Sequence, residues 1–167
     1  MVETDVFISG AGLAGSIAAL SYSKAGRNVV VADPYIYGNN AQVDYRTTAY
    51  LQPAKLFLEK LGIWEAIEDG AMPLEIMKIM DSSNIKNGDE IRSQKEFKSA
   101  EISDFPFGWN VKNSLMRAAL KRLIDQQSNC KLITNSSAVD MVCRDSMAYF
   151  KLSSGNTVKA KLVVAAD

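Results

Sequence analysis

Gly10-Ala11-Gly12-Leu13-Ala14-Gly15 places three glycines in a GxGxxG pattern. Each glycine can do something different for a bound pyrophosphate. The first permits a tight strand-to-helix turn. The second lets the backbone come close to the phosphates. The third lets helix and strand pack closely. A helix starting there offers free N–H groups and the positive end of its dipole to an anion. Asp33 follows Gly15 by eighteen residues, near the ~20 expected for a carboxylate that accepts hydrogen bonds from a ribose. These residues read as a dinucleotide site, against the plainer alternative of a glycine turn used only for packing.

The elements needed to position those residues are also legible. Val6-Phe7-Ile8 is a short apolar run ending in glycine and predicts a buried strand. Residues 13–25 are rich in alanine and small side chains and predict a helix, closed by Gly26. Val29-Val30-Val31-Ala32 predicts a second buried strand, ending at Asp33. Strand, glycine turn, helix and strand within about thirty residues make a right-handed βαβ unit.

Residues 34–50 read as polar and irregular, with Gly38-Asn39-Asn40 as a loop. Pro53 opens a helix through Leu56, Phe57 and Leu61, and a short helix holds Trp64 and Ile67. Residues 74–80 predict a strand, and Asn87-Gly88 a hairpin turn into a polar strand over 90–97. A strand over 107–111 leads to the clearest helix, where Leu115, Met116, Ala119, Leu120, Leu123 and Ile124 form one apolar stripe. Asn113 or Ser114 would be its N-cap. Further strands are expected over 131–134, 139–143, 149–152, 157–160 and 162–165, the last fully buried.

Composition narrows the function classes. Nineteen basic residues balance nineteen acidic ones, so no basic excess points to nucleic acid. The chain has no histidine, which removes His-based general-base catalysis and the usual Cys/His zinc sites. No metal site and no catalytic side chain is expected. Cys130 and Cys143 read as buried, reduced thiols, with a disulfide between adjacent strands left open. The acidic N-terminus, followed by a glycine-interrupted apolar run, is neither a signal peptide nor a membrane span. A cytoplasmic protein is the expectation.

After Asp33 the chain departs from a plain NAD-binding repeat, giving a polar loop, helices and a hairpin. There Asp44-Tyr45-Arg46-Thr47-Thr48-Ala49, then 57–64 (FLEKLGIW), resembles the flavin-dependent aromatic-ring monooxygenases that hydroxylate ubiquinone precursors, a para-hydroxybenzoate-hydroxylase-like family. The stretch 107–115 (FGWNVKNSL) resembles that family's segment leading into a long helix. The end, 162–167 (LVVAAD), resembles the strand before its Asp-Gly motif. The resemblance covers the whole chain in order. Asp33 followed by Pro34 departs from the family's usual glutamate and basic residue.

The resemblance implies an α/β fold: a Rossmann-like FAD-binding βαβ sheet, a β-meander crossover and the beginning of a β-rich substrate domain. It divides the chain into 1–73 and 111–167 for the FAD-binding part and 74–110 for the start of the substrate sheet. By it, Gly10, Gly12, Leu13, Ala14 and Gly15 hold the FAD pyrophosphate and Asp33 the adenosine ribose. Arg46 and Thr47 sit beside the flavin, and a cation there suits an anionic cofactor. Asn113 falls where relatives carry an arginine near the cofactor, and reads equally as only a helix cap. Val139 meets the adenine through its backbone, and Asp167 matches the Asp-Gly aspartate. Trp64 and Trp109 read as packing residues.

The implied activity is hydroxylation of a phenol ring with NAD(P)H and O2. A polyprenylated phenol would bring peripheral contact with the inner membrane or with a ubiquinone-biosynthesis complex. Family members run to about twice this length, so the expectation is a truncated chain, inactive alone. Another FAD- or NAD(P)-dependent oxidoreductase, such as a prenyl-lipid reductase, and a non-catalytic cofactor-binding module are the other readings.

Overall fold

A computed structural model describes residues 1–35, 44–81, 91 and 93–167. The apolar run at Val6 lies in strand β1 (Val2–Ser9), followed by helix α1 (Leu13–Lys24) and strand β2 (Val29–Ala32). β1 and β2 are parallel, with Val6 opposite Val29 and Ser9 opposite Ala32, as the βαβ reading requires. β1 begins four residues before the apolar run. Its first half is an alternating strand whose acids Glu3 and Asp5 meet Lys159 and Lys161.

The main sheet has the order β8-β2-β1-β11-β10-β9. Here β8 is Cys130–Ile133, β9 Ala138–Arg144, β10 Met147–Leu152 and β11 Thr157–Ala165. β8, β2, β1 and β11 are parallel, whereas β9, β10 and β11 form an antiparallel meander. This is an α/β fold with the expected meander.

Both faces of the parallel strands are covered, which is why those strands read as continuous apolar runs. One face sends Val6, Ile8, Val29 and Val31 against Leu20 of α1 and against Met116, Leu120 and Ile124 of helix α3 (Asn113–Asp125). The other sends Phe7 and Val30 against Ala148, Phe150 and Leu152 of β10, with the Phe7 and Phe150 ring centroids 4.5 Å apart. Each such side chain stabilises the fold by roughly 1.5–3 kcal/mol relative to exposure.

A second sheet has the order β3-β7-β4, from Thr47–Leu51, Gly108–Lys112 and Met72–Leu74. β3 corrects the expectation of irregular chain through residue 50. Thr48 and Tyr50 alternate inward while Thr47, Ala49 and Leu51 face out, and polar neighbours masked that short alternation. Helix α2 (Gln52–Lys60) follows with Pro53 in its first turn. Two short 3-10 turns, Trp64–Ala66 and Glu68–Gly70, take the place of the expected single helix. Trp64 packs edge-on against Trp109 at 5.4 Å, with the Lys55 ammonium near both rings. A two-stranded ribbon pairs β5 (Ile76–Asp81) with β6 (Ser93–Lys98). The loop at Gly38-Asn39-Asn40 and the turn at Asn87-Gly88 lie outside the described residues.

Residues 157–165 form one continuous strand rather than two. Its end is not fully buried: Leu162 is 44% exposed. β10 pairs only with Thr157–Ala160, so beyond that point β11 has β1 on one side alone.

The cysteine expectation is corrected at Cys143, which is exposed on edge strand β9, while Cys130 is partly buried. Both are free. β8 and β9 are the opposite edges of the sheet, so the two thiols are not on adjacent strands. Burial pushes the Cys130 thiol up to about 11. A thiol-specific reagent at pH 8 should therefore modify Cys143 first and Cys130 only after unfolding. Two equally fast thiols by mass spectrometry would contradict this. The linkage has a definite sign. Unfolded, Cys130 ionises near 9.0; folded, near 11. Its contribution to stability is thus full below pH 9 and lost as pH rises from there through 11.

Candidate functional site

β1, β2 and β11 end at the same edge of the sheet, and a cavity of about 1110 Å³ opens there. Its floor is Ser9, Gly10, Gly12, Ala166 and Asp167. Ala32, Asp33, Pro34 and Tyr35 continue it at the end of β2, and Ser137 and Ala138 extend it between β8 and β9. The opposite wall comes from Asp44 and Arg46, before β3, and from Ser114, Arg117, Ala118 and Lys121 of α3. Ligands of open α/β sheets bind in this location, outside the carboxyl ends of parallel strands.

The glycine loop is packed tightly where the protein needs it. Gly10 has φ +100°, a conformation side chains rarely adopt, and a Cβ there would meet the Ala166 carbonyl oxygen at 2.5 Å. A Cβ on Gly15 would fall onto the Gly10 carbonyl and lie 3.2 Å from Ala166 Cβ. Gly12 differs. Its φ of −61° suits any residue, and a Cβ would have only the Ala166 carbonyl oxygen within reach, at 3.9 Å. Among the described residues nothing requires a glycine at position 12, yet position 12 lines the cavity. Bare backbone there leaves room for a ligand to come close. Gly12 also caps α1 without a side chain, which leaves the first-turn N–H groups of Leu13, Ala14 and Gly15 without intrahelical acceptors. A diphosphate group fits this cradle.

Asp33 closes the loop from the other side. Its Oδ2 accepts from the Ala11 N–H at 2.5 Å and its Oδ1 from the Tyr35 N–H at 2.7 Å. The carboxylate thus orders the glycine loop and retains lone pairs for hydroxyl donors in the cavity.

Asp44 organises the opposite wall. Arg46 grips it side-on, Nε to Oδ1 at 2.8 Å and Nη2 to Oδ2 at 2.9 Å, and the Arg46 backbone N–H donates to Oδ1 at 3.1 Å. Asn113 Nδ2 donates to Asp44 Oδ2 at 3.3 Å, while Asn113 Oδ1 accepts from Thr48 Oγ1 at 2.7 Å. Arg117 Nε stands 3.9 Å from Oδ2. The Arg46 side chain, with its N–H donors, holds the Asp44 carboxyl well below the usual carboxylate range, helped by Asn113. Reciprocally, Asp44 raises the Arg46 guanidinium.

The structure gathers Gly10, Gly12, Asp33, Arg46 and Asp167 around one cavity. Thr47 is exposed at the start of β3 and is not in the wall. Asn113 is not a helix cap, since Lys112 takes that position without a side-chain bond. Asn113 is buried and faces Asp44 and Thr48 because the chain before β3 crosses the start of α3. The Asn113 N–H donates to the Arg46 carbonyl at 3.0 Å. Val139 is 57% exposed and outside the wall, which Ser137 and Ala138 supply instead. Sequence reasoning assigned no role to Asp44 or Arg117. The Asp-x-Arg spacing and the i, i+4 relation of Asn113 to Arg117 are the only local signals for them. Among the described residues there is no cluster able to hold a metal ion, and no helix is long and apolar enough to cross a membrane.

With this geometry in hand, residues 3–167 match the family described as FAD binding domain. The chain belongs to that family, and its cofactor is FAD. It is 25% identical over 167 residues to 3-demethoxyubiquinol 3-hydroxylase of Escherichia coli K12, covering 98% of this chain and 41% of the relative. It is 23% identical to the ubiquinone hydroxylase UbiM of Neisseria meningitidis, covering 99% of this chain and 36% of the relative. Among solved structures, p-nitrophenol 4-monooxygenase PnpA of Pseudomonas putida DLL-E4 superposes with a TM-score of 0.79 at 20% identity, over 100% of this chain and 42% of that one. The flavin-dependent monooxygenase PieE, solved with FAD and substrate, gives 0.77 at 19% identity, over 99% and 30%. The chain thus spans well under half the length of the relatives it matches, and the solved structures share its fold.

Proposed function

We propose that this chain supplies the FAD-holding part of a flavin-dependent monooxygenase that hydroxylates an aromatic ring, a ubiquinone-precursor phenol, using NAD(P)H and O2. The observation that carries the cofactor half of this reading is Gly12, a glycine that no contact with the described residues demands, lining a cavity at the ends of β1, β2 and β11. The reaction half rests on the curated relatives, three of them hydroxylases of ubiquinone or its precursor by name.

FAD, when bound, would supply the redox chemistry between NAD(P)H and O2. The chain's own groups bind and orient it. The Gly12 backbone and the N–H groups of Leu13, Ala14 and Gly15 donate to the pyrophosphate. Asp33 accepts from the ribose hydroxyls. Arg46 gives its unused N–H donors to phosphate oxygens, beside Thr47 and the Asn113-anchored loop. Asp167 borders the same floor, and the backbone at Ser137 and Ala138, next to Val139, would meet the adenine. No side chain of this chain acts as nucleophile or general base. Residues 1–73 and 111–167 serve the cofactor, and 74–110 begin the substrate side. A cytoplasmic enzyme in peripheral contact with the inner membrane, where a polyprenylated phenol resides, completes the reading.

The test is a visible spectrum after incubation with excess FAD and desalting. Retained bands near ~375 and ~450 nm, the cofactor's own absorption, are expected. A colourless chain would overturn these residues as a self-sufficient cofactor module. For the reaction, NAD(P)H-dependent conversion of a prenylated phenol to its hydroxylated product by the protein in its native host, lost on deleting the gene, is the expected outcome.

A further inference from the structure

We propose that Asp44 is a positioning residue for cofactor binding: one carboxylate that holds two cations from distant parts of the chain, Arg46 and Arg117, against the cavity wall. This rests on reading the cavity as the FAD site.

Three observations carry it. The Arg46 side chain is 76% exposed, so packing does not orient its guanidinium. Among the described residues, the side chain bonded to it is that of Asp44, through two parallel contacts at 2.8 and 2.9 Å. Asp44, by contrast, is only 16% exposed and is itself anchored by buried Asn113 of α3 at 3.3 Å. The fixed partner is therefore the carboxylate and the dependent partner the arginine. Finally, Arg117 stands 3.9 Å from the same carboxylate. Two cations share one anion, and the cluster keeps a net positive charge on the cavity wall.

The geometry leaves Arg46 able to bind. A guanidinium has five N–H donors in a planar fork. Asp44 engages Nε and one donor of Nη2, leaving the outer donors for phosphate oxygens. An exposed arginine that must be immobilised on binding loses rotamer freedom; one already held loses less. The carboxylate also repels an incoming diphosphate. That repulsion acts across the open cavity and is screened by salt, whereas the direct Asp44–Arg46 contacts at 2.8 and 2.9 Å are screened much less. Orientation should win, most clearly at physiological ionic strength.

Affinity for FAD by flavin fluorescence quenching, at 0.15 M salt, tests this with wild type, Asp44→Asn, Arg46→Gln and the double variant. Asp44→Asn is expected to weaken FAD about tenfold. In the Arg46→Gln background the same change should have less than a threefold effect, because only the longer Arg117 contact, at 3.9 Å, is then left to lose. A general structural role for Asp44 would weaken binding equally in both backgrounds and would overturn the proposal. Tighter binding by Asp44→Asn would also overturn it and make the carboxylate a competitor for Arg46. Asn113→Ala, which removes the anchor but keeps the charge, provides a second route should Asp44→Asn fold poorly. About threefold weaker binding is expected, and unchanged binding would refute the anchoring. Wild-type protein that binds no FAD would instead remove the reading of the cavity, and this inference with it.

Discussion

Gly12→Val should fold as wild type does and lose FAD. The backbone at position 12 is extended, with φ −61° and ψ −173°, a region valine occupies readily. Among the described residues the added Cβ would meet only the Ala166 carbonyl oxygen, at an ordinary 3.9 Å. The change at a helix N-cap costs at most about 1 kcal/mol. The methyl groups, however, enter the cavity where the pyrophosphate must come within hydrogen-bonding distance of the loop. An increase in FAD Kd of about 100-fold or more is expected, equivalent to ~2.7 kcal/mol. Fluorescence titration beside a thermal melt checks both halves. Undiminished FAD binding would show that the glycine loop does not cradle the cofactor.

Gly15→Ala should do the opposite, damaging the fold first. One methyl group would land on the Gly10 carbonyl, with Ala166 Cβ 3.2 Å away. All three contacts are with α1's own entry turn and the end of β11, so no flexible side chain can move aside. α1 would have to lift from the sheet and loosen the layer where Ala19 and Leu20 meet Val6 and Ile8. Alanine gains ~1 kcal/mol of helix propensity over glycine, which does not offset an overpacking cost of about 3 kcal/mol. The urea midpoint should fall by ~1–2 M, given slopes of ~1–3 kcal/mol per M for small proteins. An unchanged midpoint would mean that helix and strand are not in the close contact described. The two glycines, three residues apart, thus separate binding from packing.

Much of the cofactor cradle was legible because it is local. Gly10 through Asp33 lie in one βαβ unit, and the turn, the helix start and the acid follow from residue types at fixed spacing. The α3 stripe, the Pro53 helix and the separate strands of the meander were legible for the same reason, since apolar periodicity reports burial directly. The failures have physical causes. β3 was missed because Thr47–Leu51 is short and flanked by polar residues. The end of β11 was expected to be buried because its residues are apolar, but exposure depends on whether a neighbouring strand reaches that far. Cys143 was expected inside because cysteine usually is; an edge strand left it outside.

By itself the sequence determined the βαβ unit and the glycine loop with Asp33, carried by short-range patterns, while its resemblance along the whole chain implied the FAD-binding family. The opposite wall was decided only by tertiary structure. Asp44 is far in the chain from Asn113 and Arg117, and no spacing rule links it to that pair. They meet because α3 packs on the same sheet face as α1, and its first turn catches the chain entering β3. Asn113 read as a helix cap or a cofactor contact; Lys112 takes the cap position, and Asn113 anchors a carboxylate. Hydrogen-bond partners across such distances depend on how the layers pack, which residue spacing does not encode.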